Sequence, residues 1–191
     1  MSVHRHALVG IAAALTVTAC TKGEAPAAAE TPVAETAPAA QTQGRLTIEG
    51  EGLRLLAASG TATSLAFGAP QADVLVAVTT AVGGATPGVT TNSECGEGPV
   101  QFAEFSNGLN LAFQDGKFAG WFLDAAGLTT ADGIGVGKSR AELDAARTVE
   151  IDRESTLGIE FQAGDVGGFL TADGAAGTVE SLYAGTTCFF R

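Results

Sequence analysis

The chain has 191 residues and a formal net charge of −11, from 21 acidic and 10 basic side chains. Phosphate backbones and anionic head groups are held by clustered Lys and Arg, so this balance argues against nucleic-acid binding and against electrostatic docking on a membrane. It suits a basic partner or plain solubility, and the 26 glycines point to a chain cut into short segments.

Met1 to His6 carries a positive charge at Arg5, with His4 and His6 beside it, and Ala7 to Val17 follows as an uncharged, mostly apolar run. A membrane-spanning helix needs roughly 20 apolar residues, so this shorter run predicts a secretory signal over residues 1–19. The run ends Val17-Thr18-Ala19-Cys20. Those residues resemble the lipobox of bacterial lipoproteins, in which aliphatic and small residues precede an invariant cysteine. The resemblance implies cleavage before Cys20 and lipidation of its thiol. Thr21 in place of aspartate implies an outer membrane facing the periplasm, if the host has one. Cleavage would leave nine basic side chains against 21 acidic, a net charge near −12 (9 − 21), and no histidine. No later apolar run is long enough to span a bilayer, so the acyl chains are the only membrane element expected. At about 0.8 kcal/mol per buried methylene, two or three of them anchor stably.

Residues 20–44 are Ala, Pro, Glu, Thr and Gln with scarcely a large apolar side chain. Nothing there can bury a core, which predicts a disordered tether behind the lipidated cysteine, with an r.m.s. span of roughly 25–30 Å as a coil. Residues 45–191 suit one domain with one core. Leu46 to Leu56 reads as a hairpin around Gly50-Glu51-Gly52. Pro70 to Val82 reads as a helix, with Val74, Leu75 and Val78 on one face and Gly83-Gly84 at its end. Val100 to Leu123 reads as three strands turned at Asn107-Gly108 and Asp115-Gly116, dipeptides that tolerate the positive φ of tight hairpins. Val179 to Tyr183 and Thr186 to Phe190 read as a closing hairpin around Gly185.

The second half of the domain echoes the first. Phe67-Gly68-Ala69-Pro70 matches Val136-Gly137-Lys138-Ser139 ahead of a helix, and Ser139 with Glu142 fits a capping box. Phe113-Gln114-Asp115-Gly116 matches Phe161-Gln162-Ala163-Gly164. These matches predict an α+β fold: two tandem helix-plus-antiparallel-hairpin repeats, about 65–124 and 134–191, in one small domain. The opening Gly135-Val136-Gly137-Lys138-Ser139-Arg140-Ala141-Glu142-Leu143 is similar to the helix start of SmpA/OmlA-type outer-membrane lipoproteins and to the tandem repeats of β-lactamase-inhibitor-like proteins. The chain departs from them in a glycine-rich insert. The resemblance implies a non-catalytic module that binds another envelope protein.

Cys95 and Cys188 would be an even pair in an oxidising compartment, which predicts a disulfide. Asp132-Gly133-Ile134-Gly135-Val136-Gly137-Lys138-Ser139 invites a phosphate-loop reading. However, Asp132 stands where that motif needs its first glycine, and its charge would repel a phosphate. A turn into a capped helix explains the same residues, so no nucleotide is expected. Nucleophilic catalysis needs an activated Ser or Cys with a base beside it, and the mature chain would lack histidine. No cluster suits zinc and no calcium loop occurs, so neither metal nor cofactor is expected. Glu94 and Glu97, in the unusual loop Glu94-Cys95-Gly96-Glu97-Gly98-Pro99, and Trp121 on a strand are the candidate contact residues. Three functions follow from these readings. The first is a lipid-anchored, non-catalytic protein-interaction module of the cell envelope. A periplasmic binder of small ligands or glycans is the second, and a hydrolase working through Glu94 and Glu97 is the third.

Overall fold

A computed structural model of the protein describes residues 44–189. The expected leader, Cys20 and nearly all of the tether fall outside the described residues. The chain enters through β1 (Arg45–Glu49) and β2 (Gly52–Leu56), joined at Gly50-Glu51, and β3 (Ala62–Ala66) pairs antiparallel with β2. The register sets Ile48 opposite Leu53 and Leu53 opposite Leu65, and all three are buried with Leu46. Helix α1 (Gln71–Val82) follows Pro70 and stops at Gly83, where φ is 75°. It buries Val74 and Val78 one turn apart.

Four antiparallel strands come next: β4 (Val89–Asn92), β5 (Val100–Glu104), β6 (Leu109–Gln114) and β7 (Lys117–Leu123). Asp115 (φ 51°) and Gly116 (φ 72°) make the tight turn between β6 and β7, both in the left-handed region that a two-residue hairpin requires. Helix α2 (Arg140–Ala146) is followed by β8 (Glu150–Asp152), β9 (Ile159–Ala163), β10 (Val166–Leu170) and β11 (Val179–Gly185). The eight strands form one antiparallel sheet in the order β4-β5-β6-β7-β11-β10-β9-β8.

One face of that sheet carries the core. Leu109, Leu111 and Phe113 of β6 join Phe118, Trp121 and Leu123 of β7, Leu182 and Ala184 of β11, and Phe161 of β9. The three-stranded sheet and α1 close over this face, since Leu46, Ile48, Leu53, Leu65, Val74 and Val78 belong to the same cluster. The Trp121 indole N–H donates to the Glu49 carbonyl at 2.8 Å, and the Ile48 amide donates to the Thr129 carbonyl at 3.2 Å. Helix α2 adds Leu143. Among the described residues no helix is long and apolar enough to cross a membrane.

The expected α+β fold of two helix-plus-hairpin repeats is overturned. The protein is mostly β, with sheets of three and eight antiparallel strands and two short helices. The matched Phe-Gln-x-Gly segments occupy unequal places: β6–β7 reaches the middle of the large sheet, whereas β9–β10 does not. What the matched helix starts share is local. Gly68 donates to Phe118 O and Gly137 donates to Val179 O, so each start is pinned beside the beginning of a central strand. The capping box forms as read, with the Glu142 amide donating to the Ser139 hydroxyl and the Ser139 amide donating to Glu142. The closing hairpin does not form among the described residues, and Phe190 lies outside them. After Gly185 (φ 70°) the Thr186 amide donates to the Ala119 carbonyl, and residues 186–189 are not a strand.

Candidate functional site

The second face of the large sheet is built differently from the first. Cross-strand register places Glu104 opposite Asn110, Asn110 opposite Phe122, Phe122 opposite Tyr183, and Tyr183 opposite Gly167. Paired residues share a face, so these five form one row across five strands. A neighbouring row runs Thr90, Phe102, Ala112, Gly120 and Gly185. Phe169 stands opposite Ser181, one step further on. The result is a half-buried aromatic surface made by Phe102, Phe122, Phe169 and Tyr183.

Phe189 completes this surface. Its ring stands nearly perpendicular to three others, with centroid distances of 5.2 Å to Tyr183, 5.7 Å to Phe169 and 6.0 Å to Phe122. Edge-to-face pairs at such distances contribute about 0.5–1.5 kcal/mol each beyond burial. The segment that carries Phe189 crosses the face at Gly120, where an added Cβ would lie 2.3 Å from the Thr186 carbonyl oxygen. Glycine is thus what permits the crossing. The segment is fastened by the disulfide between Cys95 and Cys188, whose Cα atoms are 5.3 Å apart. Cys95 packs with Val100 and Ala112 in a small cluster on this second face.

Two hollows flank Phe122 and Phe189. One, of about 470 Å³, is lined by Phe122, Asp124, Leu157, Phe169, Glu180, Ser181 and Phe189. The other, of about 260 Å³, includes Phe102, Glu104, Asn110, Phe122 and Phe189 in its lining. No lysine or arginine among the described residues lines either. Glu104, Asp124 and Glu180 are exposed and form no ion pair among the described residues. The Asn110 side-chain oxygen is buried and has no hydrogen-bond donor. Beneath the rings, the Tyr183 hydroxyl donates to the buried Glu160 carboxylate. This arrangement offers aromatic faces, acceptor oxygens and negative charge together, and it suits recognition of a donor-rich or cationic group.

Trp121 borders the smaller hollow, but its side chain is turned to the core. Only 1% of it is exposed, and it faces the core. The cause is a bulge: Ala112 pairs with Gly120 while Phe113 pairs with Phe118, which leaves Ala119 as the extra residue. Strict alternation from Phe118 would send Trp121 outward, but the bulge reverses the faces. Trp121 goes in and Phe122 comes out. Glu94 and Glu97 are both exposed in the loop around Cys95, at the margin of the aromatic face. The Glu94 amide donates to the Asn92 side chain at 2.9 Å, and the Glu97 carbonyl accepts from Gln114 at 2.8 Å. Glu97, not Glu94, lines the small hollow beside the disulfide. The sequence reading named none of Phe102, Asn110, Phe122, Phe169 or Phe189 as contact residues.

The segment that invited a phosphate-loop reading is a braced turn. The buried Thr130 hydroxyl donates to Asp132 and accepts from the Ile134 amide at 3.0 Å. Arg147 grips Asp132 through two hydrogen bonds of 2.7 and 2.8 Å, and Lys138 is turned onto Glu142 at 2.8 Å. Arg147 and Thr130 hold the Asp132 carboxyl down at about 2. Lys138 and Ser139 do the same for Glu142. Another hollow, of about 460 Å³, includes Gly50, Arg147 and Asp165 in its lining, but the guanidinium there is already committed to Asp132. Among the described residues no group of three His, Cys, Asp or Glu is placed to hold a metal ion. No protein family, curated protein or solved structure matches the chain.

Proposed function

We propose that this is a lipid-anchored cell-envelope protein whose folded domain is a non-catalytic interaction module, taking a protein partner on the aromatic face of its eight-stranded sheet. The observation that carries the reading is the cluster of Phe102, Phe122, Phe169, Tyr183 and Phe189 on the sheet face turned away from the core. Half-buried aromatic side chains that share one surface are the groups that dominate protein interfaces. A second support is the covalent fastening of Phe189 through Cys188, which orders the surface before a partner arrives and lowers the entropy lost on binding. The lipobox resemblance of Val17 to Cys20 supports the anchor and an outer-membrane position facing the periplasm.

The test is affinity capture from crosslinked envelopes with the wild-type chain and a Phe122→Ser/Phe169→Ser variant. The reading expects a discrete envelope protein with the first and at least a tenfold loss with the second. Both chains should show the same far-UV circular dichroism, because the two rings lie outside the main core. Equal capture by both chains would move the interface elsewhere on the molecule.

A further inference from the structure

We infer that the aromatic face takes a basic segment of its partner, with an arginine side chain laid among Phe122, Phe169 and Phe189. This rests on the interaction-module reading and names the chemistry of the partner.

Four observations converge on it. The two hollows that share Phe122 and Phe189 are walled by rings, and a guanidinium lies favourably over or between aromatic faces. Their polar lining includes carboxylates, with Glu104 on one side and Asp124 and Glu180 on the other. None of these three has a cationic partner among the described residues, unlike Glu49, Asp132, Glu142 and Asp144, which do. The buried Asn110 oxygen in the same row has no donor, and leaving a buried acceptor unpaired costs about 1–3 kcal/mol. An arginine brings five donors in a planar fork, enough to meet a carboxylate and an amide oxygen together. An acidic segment would set its own carboxylates against Glu104, Asp124 and Glu180, so the same features that attract a basic partner reject an acidic one.

The lining also sets the geometry. Phe122 and Phe189 form the wall between the two hollows. An extended segment crossing that wall can therefore place two basic side chains, one toward Glu104 and one toward Asp124 and Glu180. Alternate residues of an extended chain face the same way about 7 Å apart, which suits such a crossing.

The experiment is calorimetric titration of the purified full chain with acetyl-tetra-arginine-amide, and with acetyl-tetra-glutamate-amide as the opposite charge. Two variants locate the site at equal net charge. One is Glu104→Gln/Asp124→Asn/Glu180→Gln, and the other is Glu51→Gln/Asp73→Asn/Glu154→Gln, which removes three exposed acids away from these hollows. Saturable binding of the arginine peptide is expected, with no binding of the glutamate peptide. Affinity should fall at least tenfold in the first variant and less than about twofold in the second, and it should weaken as salt is raised. Equal losses in both variants would mean diffuse attraction to an acidic surface and would overturn the inference, as would the absence of saturation. A crosslinked partner that meets Phe122 through a segment without Arg or Lys would overturn the basic-segment inference and leave the interaction module standing. If no partner is captured at all, the module reading fails with it.

Discussion

Asp132 is held ionised by Arg147 and Thr130, and the three residues tie the end of α2 to the turn before it. Its pKa is lowered from 3.8 to about 2, so between those values the unfolded chain binds more protons than the folded one. The pair's contribution to stability is therefore fully present above about pH 4 and is lost as pH falls toward 2. Denaturant midpoints measured from pH 5 to pH 2 should show Asp132→Asn to be less stable than wild type at the upper end, with the two converging at the lower. A constant gap across that range would show that the charge plays no part. The carboxylate is partly exposed, so solvent screening keeps the effect small. Trp121 makes a different residue-scale point. It is the chain's single tryptophan, and it reports on the core and on the contact between the two sheets. With 1% of its surface exposed, it is not open to direct contact by a ligand.

Among the elements, the segment 186–189 lies outside the ladders of the large sheet. One backbone hydrogen bond from Thr186, the Phe189 ring contacts and the Cys95–Cys188 disulfide hold it to the sheet. The two cysteines are 93 residues apart, and chain-entropy estimates for closing so long a loop give about 4–5 kcal/mol. A Cys95→Ser/Cys188→Ser variant should therefore unfold at a clearly lower denaturant concentration and should lose partner capture before it loses the sheet. Unchanged capture would separate the strap from the binding surface. The same scale shows what the sequence made legible. Tight turns, the cap at Ser139 and the hairpins at Gly50-Glu51 and Asp115-Gly116 were readable because their chemistry is local. β3 was missed because Ala62-Thr63-Ser64-Leu65-Ala66 has one large apolar side chain; it is a strand through its pairing with β2. The aromatic face was missed for a related reason. A bulge at Ala119 decides which way Trp121 and Phe122 face, and a bulge is a property of two paired strands, not of one segment. The repeat reading failed where matched motifs were assigned equal places in the sheet, which only the pairing order determines.

At the scale of the whole molecule, one sheet face carries the core, and the proposal assigns recognition to the other. α1, the small sheet and α2 share the core cluster with the first face, while the second is crossed by a short fastened segment. The proposed interaction module would act where the proposed anchor holds it. If the lipobox reading holds, Cys20→Ala should move the protein from the membrane to the soluble fraction and reduce partner capture in cells without changing peptide binding by the purified chain. Membrane retention of that variant would count against the anchor alone.

The most direct test of the central claim is site-specific photocrosslinking in intact cells, with a benzophenone amino acid placed at Phe122 or at Val76. Val76 is the control because it is a strongly exposed apolar residue on α1. The account predicts a discrete adduct with one envelope protein from position 122 and none from position 76. Adducts from position 76 alone, or equally from both, would contradict the assignment of the aromatic face as the binding surface.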